Sequence, residues 1–372
     1  MGTSDRQSTM HAWRKHKGNK EPVWEEVPIP LTPSDGLLVK LLASGVCHSD
    51  RPLLEVEDRP HFNEKYILGH EGCGEIIEIG DDMEDSRFKL GDRIALLAVP
   101  GCGLDSCSEC SRDLAQLCPR GVHHGIGQDG FFAEYVAVNT RAAVPLPHGE
   151  SSPLRRCMQA LIHALGISPA VAAVATDAVT TAYHGITRRA EIKKEETTFL
   201  FGLGGLGFNA LQVVLAIGAR VIVSDLRPEK LDAAFKLGVP REDIVPAGQS
   251  VQDFVRDKGL EGKIDTVLEF VGKHQTFQDA QRIVRAGGKI LCVGTLDRTN
   301  ELDMKIGIRK RLSIIFTYGG QYRDLVEVLD LIAKKVIQPQ VEIGNLQDFP
   351  KVLRDLEDGK IKDRIALVSE LV

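Results

Sequence analysis

The sequence predicts an α/β protein of two domains, one β-rich and one built on a parallel sheet with helices on both faces. Three observations carry that expectation. The 372 residues exceed one domain at roughly 100–200 residues each. Up to about residue 150, short apolar runs are broken by Gly and Pro, as strands and turns require. From about residue 197, apolar strands alternate with helical periods, the βαβ rhythm of a parallel sheet.

Taken in order, Leu37–Leu42, Cys73–Ile79, Arg93–Ala98 and Phe131–Val138 read as strands of the first domain. Within Ser151–Leu165, Leu154, Cys157, Met158, Leu161, Ile162 and Leu165 recur at helical spacing, with Ser152 and Pro153 as N-cap and first helical residue. A surface helix, a lid and a subunit contact all fit that stretch. In the second domain the strands Thr198–Leu203, Arg220–Ser224, Ile264–Val271 and Lys289–Val293 alternate with helices such as Leu206–Ile217 and Glu229–Leu237. After about residue 305 come a strand, Leu312–Thr317, an amphipathic stretch, Tyr322–Lys334, and a short end, Arg364–Val368.

Composition narrows the function. With 46 Lys+Arg against 52 Asp+Glu the net charge is −6, and 43 % of residues are hydrophobic. The chain is too apolar for disorder and too acidic for a general nucleic-acid binder. No run approaches the ~18 apolar residues of a membrane helix. Met1 to Met10 is polar, lacks the apolar stretch of a secretion signal, and has Arg6 where a myristoylation signal wants Ser or Thr. The expectation is a cytoplasmic protein with reduced thiols.

The strand Thr198–Phe201 runs into Gly202–Leu203–Gly204–Gly205–Leu206–Gly207, and a helix follows from Phe208. A lone GxGxxG is weak, but one between a strand and a helix is the dinucleotide fingerprint. Its glycines let the backbone and the helix N-terminus approach a pyrophosphate. Asp225 lies 18 residues beyond Gly207, after a second strand, where a carboxylate accepts from the adenosine ribose. That favours NAD over NADP, and Arg227 softens the preference.

Of the eight cysteines, Cys102, Cys107, Cys110 and Cys118 fall within 17 residues. Four thiolates so spaced suit a closed tetrahedral zinc site, structural because no coordination position stays open. Two further turns carry metal-binding residue types: Gly45–Val46–Cys47–His48–Ser49–Asp50 and Gly69–His70–Glu71–Gly72.

Together these motifs resemble, in order and over nearly the whole chain, the zinc-containing alcohol dehydrogenases of the medium-chain dehydrogenase/reductase family. The resemblance implies a GroES-like β-barrel catalytic domain (1–170), an inserted Rossmann domain (171–305), a return to the catalytic domain (306–372), and an active site in the cleft between them. It implies one catalytic and one structural zinc, NAD, and a small alcohol, aldehyde or ketone as substrate. Nucleic acid and membrane are not expected partners; a homodimer or homotetramer is. Cys47 and His70 resemble catalytic zinc ligands, and Glu71 the neighbouring carboxylate that moves onto the metal. Asp177, six residues before Tyr183 of Thr181–Ala182–Tyr183, takes the third ligand's place, where many relatives have Cys; helix capping is its other reading. One thiolate and one carboxylate balance Zn²⁺ as two thiolates would. His48 resembles a pyrophosphate contact and Ser49 the hydroxyl that first takes the alcohol proton.

Three features depart from the family. Pro52 stands where a relay His is common, which leaves Ser49, the nicotinamide ribose and water to carry the proton. The gap from Cys102 to Cys107 is longer than usual, and the stretch 150–165 is extra. Pro52, Leu53, Leu54 and Phe131 fit pocket wall and core equally. Two rival readings are an inactive NAD-binding protein that keeps zinc for stability, and a reductase of a carbonyl or enoyl substrate.

Overall fold

Two units share the chain, and it visits the first three times. The computed structural model describes residues 8–56, 62–84, 87–147 and 166–369. The first unit takes in 1–177, 321–334 and 339–372; the second takes in 178–320 and 335–338. The helical stretch expected over Ser151–Leu165 lies outside the described residues.

The first unit opens with β1 (Thr9–His16) and β2 (Val23–Pro28), followed by β3 (Gly36–Val46), β4 (Lys65–Ile67), β5 (Glu71–Ile79), β6 (Arg93–Leu96), β7 (Tyr135–Asn139) and β8 (Ala143–Pro145). A small antiparallel sheet runs β2-β1-β4. The larger sheet is organised by β3, whose eleven residues are nearly all buried. Register shifts after Leu38 and Leu41 bend β3 as it pairs with β5, as bulges do. Its first half, Gly36–Lys40, pairs with β7, which leaves its second half open to another strand. The strand expected over Phe131–Val138 is split. Tyr135 onward joins β3, while the Phe131 and Phe132 amides donate to the Gly69 and Leu68 carbonyls.

The second unit is a five-stranded parallel sheet of β9 (Thr197–Phe201), β10 (Arg220–Ser224), β11 (Ile264–Glu269), β12 (Val284–Cys292) and β13 (Ser313–Phe316), in the order β10-β9-β11-β12-β13. A parallel bridge from Val223 to Ile244 marks one further position beyond β10. The order therefore runs outward from β9 in one direction, then restarts on its other side, the Rossmann strand order. β9 ends at Phe201 because Gly202 turns off with φ +85°. The helix Gly207–Ile217 buries Phe208, Ala210, Leu211, Val213 and Val214, and the sheet's other layer is held by Phe254, Phe277 and Ile283.

One boundary differs from expectation. The return to the first unit comes at Gln321, not at 306. The helix Met304–Lys310 and β13 belong to the parallel sheet, because β13 pairs with β12 from Lys289↔Ser313 to Cys292↔Phe316.

Beyond that return, β14 (Val341–Asn345) and β15 (Arg364–Val368) complete the large sheet. β15 pairs with Ser44–Val46 of β3, the half that β7 leaves open. The helix Phe349–Glu357 is pinned by Phe349, whose ring lies 4.3 Å from that of Phe132, both fully buried. Truncating such a residue costs about 3–5 kcal/mol. Leu54 and Phe131, the ambiguous wall residues, are core members.

Candidate active site and metal centres

Cys47 follows the last residue of β3, and His70 precedes the first of β5. Those strands run antiparallel with Gly45 opposite Glu71, so the register alone brings the two turns side by side. Asp177 joins them from a wide helical turn, Ala175–Val179, that continues the helix Pro169–Val174. It therefore sits inside helical structure, and the capping alternative falls away: Ser168 is that helix's N-cap, accepting from the Val171 amide.

The donor atoms of Cys47, His70, Glu71 and Asp177 lie within 4.8 Å of one another. Asp177 Oδ2 is 3.6 Å from Cys47 Sγ and 3.9 Å from His70 Nε2. Bonds of about 2.0–2.3 Å to a tetrahedral zinc separate neighbouring donors by roughly 3.3–3.8 Å. The set fits one zinc.

Two residues around it carried no role in the sequence. Asp50 is fully buried; its Oδ2 accepts the Cys47 amide at 2.9 Å, and its Oδ1 lies 3.1 Å from His70 Nδ1. That contact turns His70 Nε2 toward Cys47 and Asp177, the carboxylate–histidine arrangement common behind metal ligands. Burial alone would depress the His70 pKa, but Asp50 and Cys47 override it and raise it well above the usual imidazole range. Arg364, at the start of β15, is 3 % exposed and donates to Glu71 Oε1. Burial raises the Glu71 carboxyl to about 8 against the pull of Arg364, and the same pairing holds Arg364 charged. Glu71 Oε2 has no hydrogen-bond partner, and a Glu71 carboxylate oxygen belongs to the donor set.

Ser49 stands at the N-cap position of the short helix Asp50–Glu55 but makes no capping bond. Its Oγ lies 3.2 Å from His70 Nε2, at the donor set. His48 stands exposed near the C-terminal end of the helix Phe349–Glu357, and partial desolvation with the nearby Arg364 charge lowers its pKa. Pro52 lies within the Asp50–Glu55 helix and offers no titratable group.

The four-cysteine loop closes on itself. Cys102 Sγ is 3.8 Å from Cys110 Sγ, and Cys107 Sγ is 3.6 Å from Cys118 Sγ. All four sulfurs fall within 4.8 Å, so the longer first gap does not keep Cys102 away. A backbone hydrogen bond from Cys110, with help from Arg120, lowers the Cys107 thiol to about 6. Zinc binds that thiolate form.

In the second unit the Gly-rich turn leaves the end of β9 and enters the helix Gly207–Ile217. A Cβ at Gly207 would sit 1.9 Å from the Gly202 carbonyl oxygen, so only glycine closes the turn. A Cβ at Gly204 would meet nothing nearer than Arg227 Nη2 at 3.9 Å. Space therefore remains on that face for close approach of a ligand to the backbone. The Gly205 carbonyl accepts from Asn209 Nδ2 at 2.8 Å. Asp225, just past β10, accepts the Leu203 amide at 2.6 Å, which ties its carboxylate to the turn. Burial favours its neutral form, yet bonds from Arg227 and Leu203 hold its pKa below the usual carboxylate range. The turn and its acidic neighbour fit a dinucleotide.

Comparison with known proteins agrees. The domain family described as alcohol dehydrogenase GroES-like domain matches residues 33–148, and the one described as zinc-binding dehydrogenase matches residues 205–334. The chain is a zinc-type alcohol dehydrogenase of the medium-chain dehydrogenase/reductase family. An alcohol dehydrogenase of Rhizobium meliloti (strain 1021) is 27 % identical over 361 residues, covering 96 % of this chain and 98 % of that one. Another, from Geobacillus stearothermophilus, is 26 % identical over 344 residues, covering 92 % and 94 %. The structure of acetophenone reductase from Geotrichum candidum NBRC 4597, in complex with NAD, superposes with a TM-score of 0.84 at 28 % identity, covering 98 % and 99 %. The enzyme is an NAD-linked oxidoreductase of alcohols. No helix among its described residues is long and apolar enough to cross a membrane.

Proposed function

We propose that this enzyme oxidises an alcohol reversibly to its aldehyde or ketone, with one catalytic zinc on Cys47, His70 and Asp177 and one structural zinc on Cys102, Cys107, Cys110 and Cys118. The observation that carries the reading is the convergence of Cys47, His70, Glu71 and Asp177 donor atoms within 4.8 Å.

When bound, the zinc supplies a Lewis acid that makes a substrate hydroxyl easier to deprotonate, and NAD supplies the hydride acceptor. The balance is alcohol plus NAD⁺ giving carbonyl, NADH and one proton. Ser49 Oγ, 3.2 Å from His70 Nε2, is placed to take that proton first, and Pro52 offers no titratable group to carry it further. Glu71 would offer a carboxylate oxygen to the metal, while Arg364 pairs with Oε1. Asp50 holds His70 in the tautomer that leaves Nε2 for the metal. His48 contacts the pyrophosphate, Gly202, Gly204, Gly205 and Gly207 form its cradle, and Asp225 and Arg227 meet the adenosine ribose.

Because the Geotrichum relative is an acetophenone reductase, secondary aryl alcohols and their ketones are the first substrates to assay. A second copy of the chain is the proposed partner. β13 is the edge strand of its sheet, and Phe316, Ile308 and Met304 stand 70, 69 and 62 % exposed on the strand and the helix before it. A loop of four thiolates stays competent for zinc in a reducing compartment, which supports a cytoplasmic location.

The test is zinc per chain and NADH formation for the wild type, Cys47→Ala and Cys107→Ser. Two zinc ions in the wild type and one in each variant are expected, with turnover lost in Cys47→Ala. Wild-type turnover in Cys47→Ala would refute the catalytic assignment. Two zinc ions retained in Cys107→Ser would refute the structural one.

A further inference from the structure

Glu269 ends β11 with an acid inside the parallel-sheet unit, 2 % exposed. Its carboxylate engages the chain just ahead of it. Oε1 accepts the Val271 amide at 3.1 Å, the Gly272 amide at 2.9 Å and the Thr276 hydroxyl at 2.8 Å; Oε2 accepts the Gly272 amide at 2.8 Å. Burial raises the Glu269 pKa, and these donors pull it the other way. The main-chain carbonyl of the same residue accepts the Val293 and Gly294 amides at 2.9 and 3.1 Å. One residue therefore grips both the loop leaving β11 and the loop leaving β12. Those loops cross backbone on backbone: a Cβ on Gly272 would lie 2.2 Å from the Gly294 carbonyl carbon. The Asp297 amide closes the crossing by donating to the Gly272 carbonyl at 2.8 Å. On its other side the β11 loop rests on the Gly-rich turn. The Phe270 amide donates to the Phe201 carbonyl at 3.1 Å, and a Cβ on Gly202 would come 2.7 Å from Val271 Cγ2.

Asp225 follows β10 and the Gly-rich turn follows β9; β11 and β12 come next in the sheet. Ligands of such sheets lie across the carboxyl ends of the strands. A dinucleotide with its adenosine ribose at Asp225 and its pyrophosphate at the turn brings its other half to the loops after β11 and β12. We propose that Glu269 is a positioning residue for the nicotinamide half of the cofactor, holding those two loops to each other as one wall. The inference deepens the assignment of the Gly-rich turn as a dinucleotide site and rests on it. Glu269 acts through the loop backbone, since its own oxygens are occupied there. Without the carboxylate, the Val271 and Gly272 amides and the Thr276 hydroxyl lose their acceptor, and the turn at Gly272, with φ +76°, loses what pins it. The adenosine half, seated at the turn and Asp225, keeps its own contacts.

The experiment is calorimetric binding of NADH and of ADP-ribose, which carries the adenosine and pyrophosphate but no nicotinamide, to the zinc-loaded enzyme. Glu269→Ala, Glu269→Gln and Thr276→Val are measured beside the wild type. Glu269→Ala should weaken NADH by about tenfold or more, the scale of buried donors left without their acceptor, and ADP-ribose by less than about threefold. Glu269→Gln keeps one acceptor oxygen and should recover part of the NADH affinity. Thr276→Val removes one anchor of the loop and should weaken NADH several-fold while sparing ADP-ribose. Equal weakening of NADH and ADP-ribose in Glu269→Ala would overturn the proposal, since Glu269 would then support the unit as a whole. Unchanged NADH affinity across the variants would overturn it too. Should Glu269→Ala fail to fold, the same ratio in Glu269→Gln and Thr276→Val decides. Failure of the wild type to bind either ligand would instead overturn the dinucleotide reading beneath it.

Discussion

Gly45→Ala tests whether the Glu71–Arg364 pair is a fixed part of the site. Gly45 lies in β3 between two partners, opposite Glu71 of β5 on one side and Ala366 of β15 on the other. A methyl placed there would come 2.0 Å from Glu71 Oε2 and 2.9 Å from both its Cβ and its carboxyl carbon. Rotating the carboxylate relieves the first contact. It cannot relieve the one to Cβ, which moves only with the backbone, and both neighbouring ladders hold that backbone. Overpacking of this kind costs about 1–3 kcal/mol. Swinging Glu71 aside also strands Arg364, and breaking a buried pair on one side costs about 3–5 kcal/mol. The two costs overlap, so a loss of about 3–5 kcal/mol is expected in urea unfolding of the zinc-loaded enzyme. The double variant Gly45→Ala/Glu71→Ala checks the cause. Truncating Glu71 removes the carboxyl clash and the stranded pair but keeps the Cβ contact, so the double variant should fall below Glu71→Ala by only the overpacking cost of about 1–3 kcal/mol. A Gly45→Ala loss below about 0.5 kcal/mol would refute the reasoning, as would costs that add in the double variant.

Two further outcomes follow from buried groups. Asp50→Asn keeps an acceptor for only one of its two partners, the Cys47 amide and His70, so zinc affinity should fall about 10–100-fold in chelator competition; unchanged affinity would show that His70 orients itself. His124 is buried, its Nδ1 sits 2.8 Å from the Asp129 carbonyl oxygen, and burial lowers its pKa. A lowered folded-state pKa means the unfolded chain binds the proton more readily. Stability present above the unfolded value of about 6.5 is therefore lost as pH falls toward the folded pKa. Thermal melts from about pH 7 to pH 5 should show this slope, reduced in His124→Gln; an equal slope in the variant would assign the acid sensitivity elsewhere.

Much of the second unit was legible because its requirements are local. A glycine turn between β9 and a helix, followed by an acidic residue after β10, needs only the nearby chain, and Gly202, Gly207 and Asp225 stand where that logic puts them. The boundary near 306 was not legible, because periodicity marks Leu312–Thr317 as a strand without naming the sheet it joins. The catalytic set shows the same limit more sharply. Cys47 and His70 meet through the pairing of Gly45 with Glu71, which no spacing reveals, so resemblance rather than periodicity pointed to them. Asp50 stood within a quoted motif, yet its role depends on complete burial. Arg364 lies 293 residues from Glu71, and only the pairing of β15 with β3 brings it there.

Charge explains why these distant residues belong together. Without metal, the buried site holds Cys47, Asp177, Glu71 and Asp50 against Arg364 and a His70 that Asp50 and Cys47 draw toward protonation. A divalent cation resolves that excess of acid. In the proposed centre Cys47 and Asp177 would balance it as a thiolate and a carboxylate, with Glu71 paired to Arg364. As a proposed ligand His70 would give up its Nε2 proton, with its Nδ1 side toward Asp50. Metal binding must therefore release protons, and zinc affinity must rise with pH. An Asp in place of a second thiolate preserves this balance while offering a harder donor. As the proposed third ligand, Asp177 would change the donor chemistry and leave the charge of the centre as two thiolates would have set it.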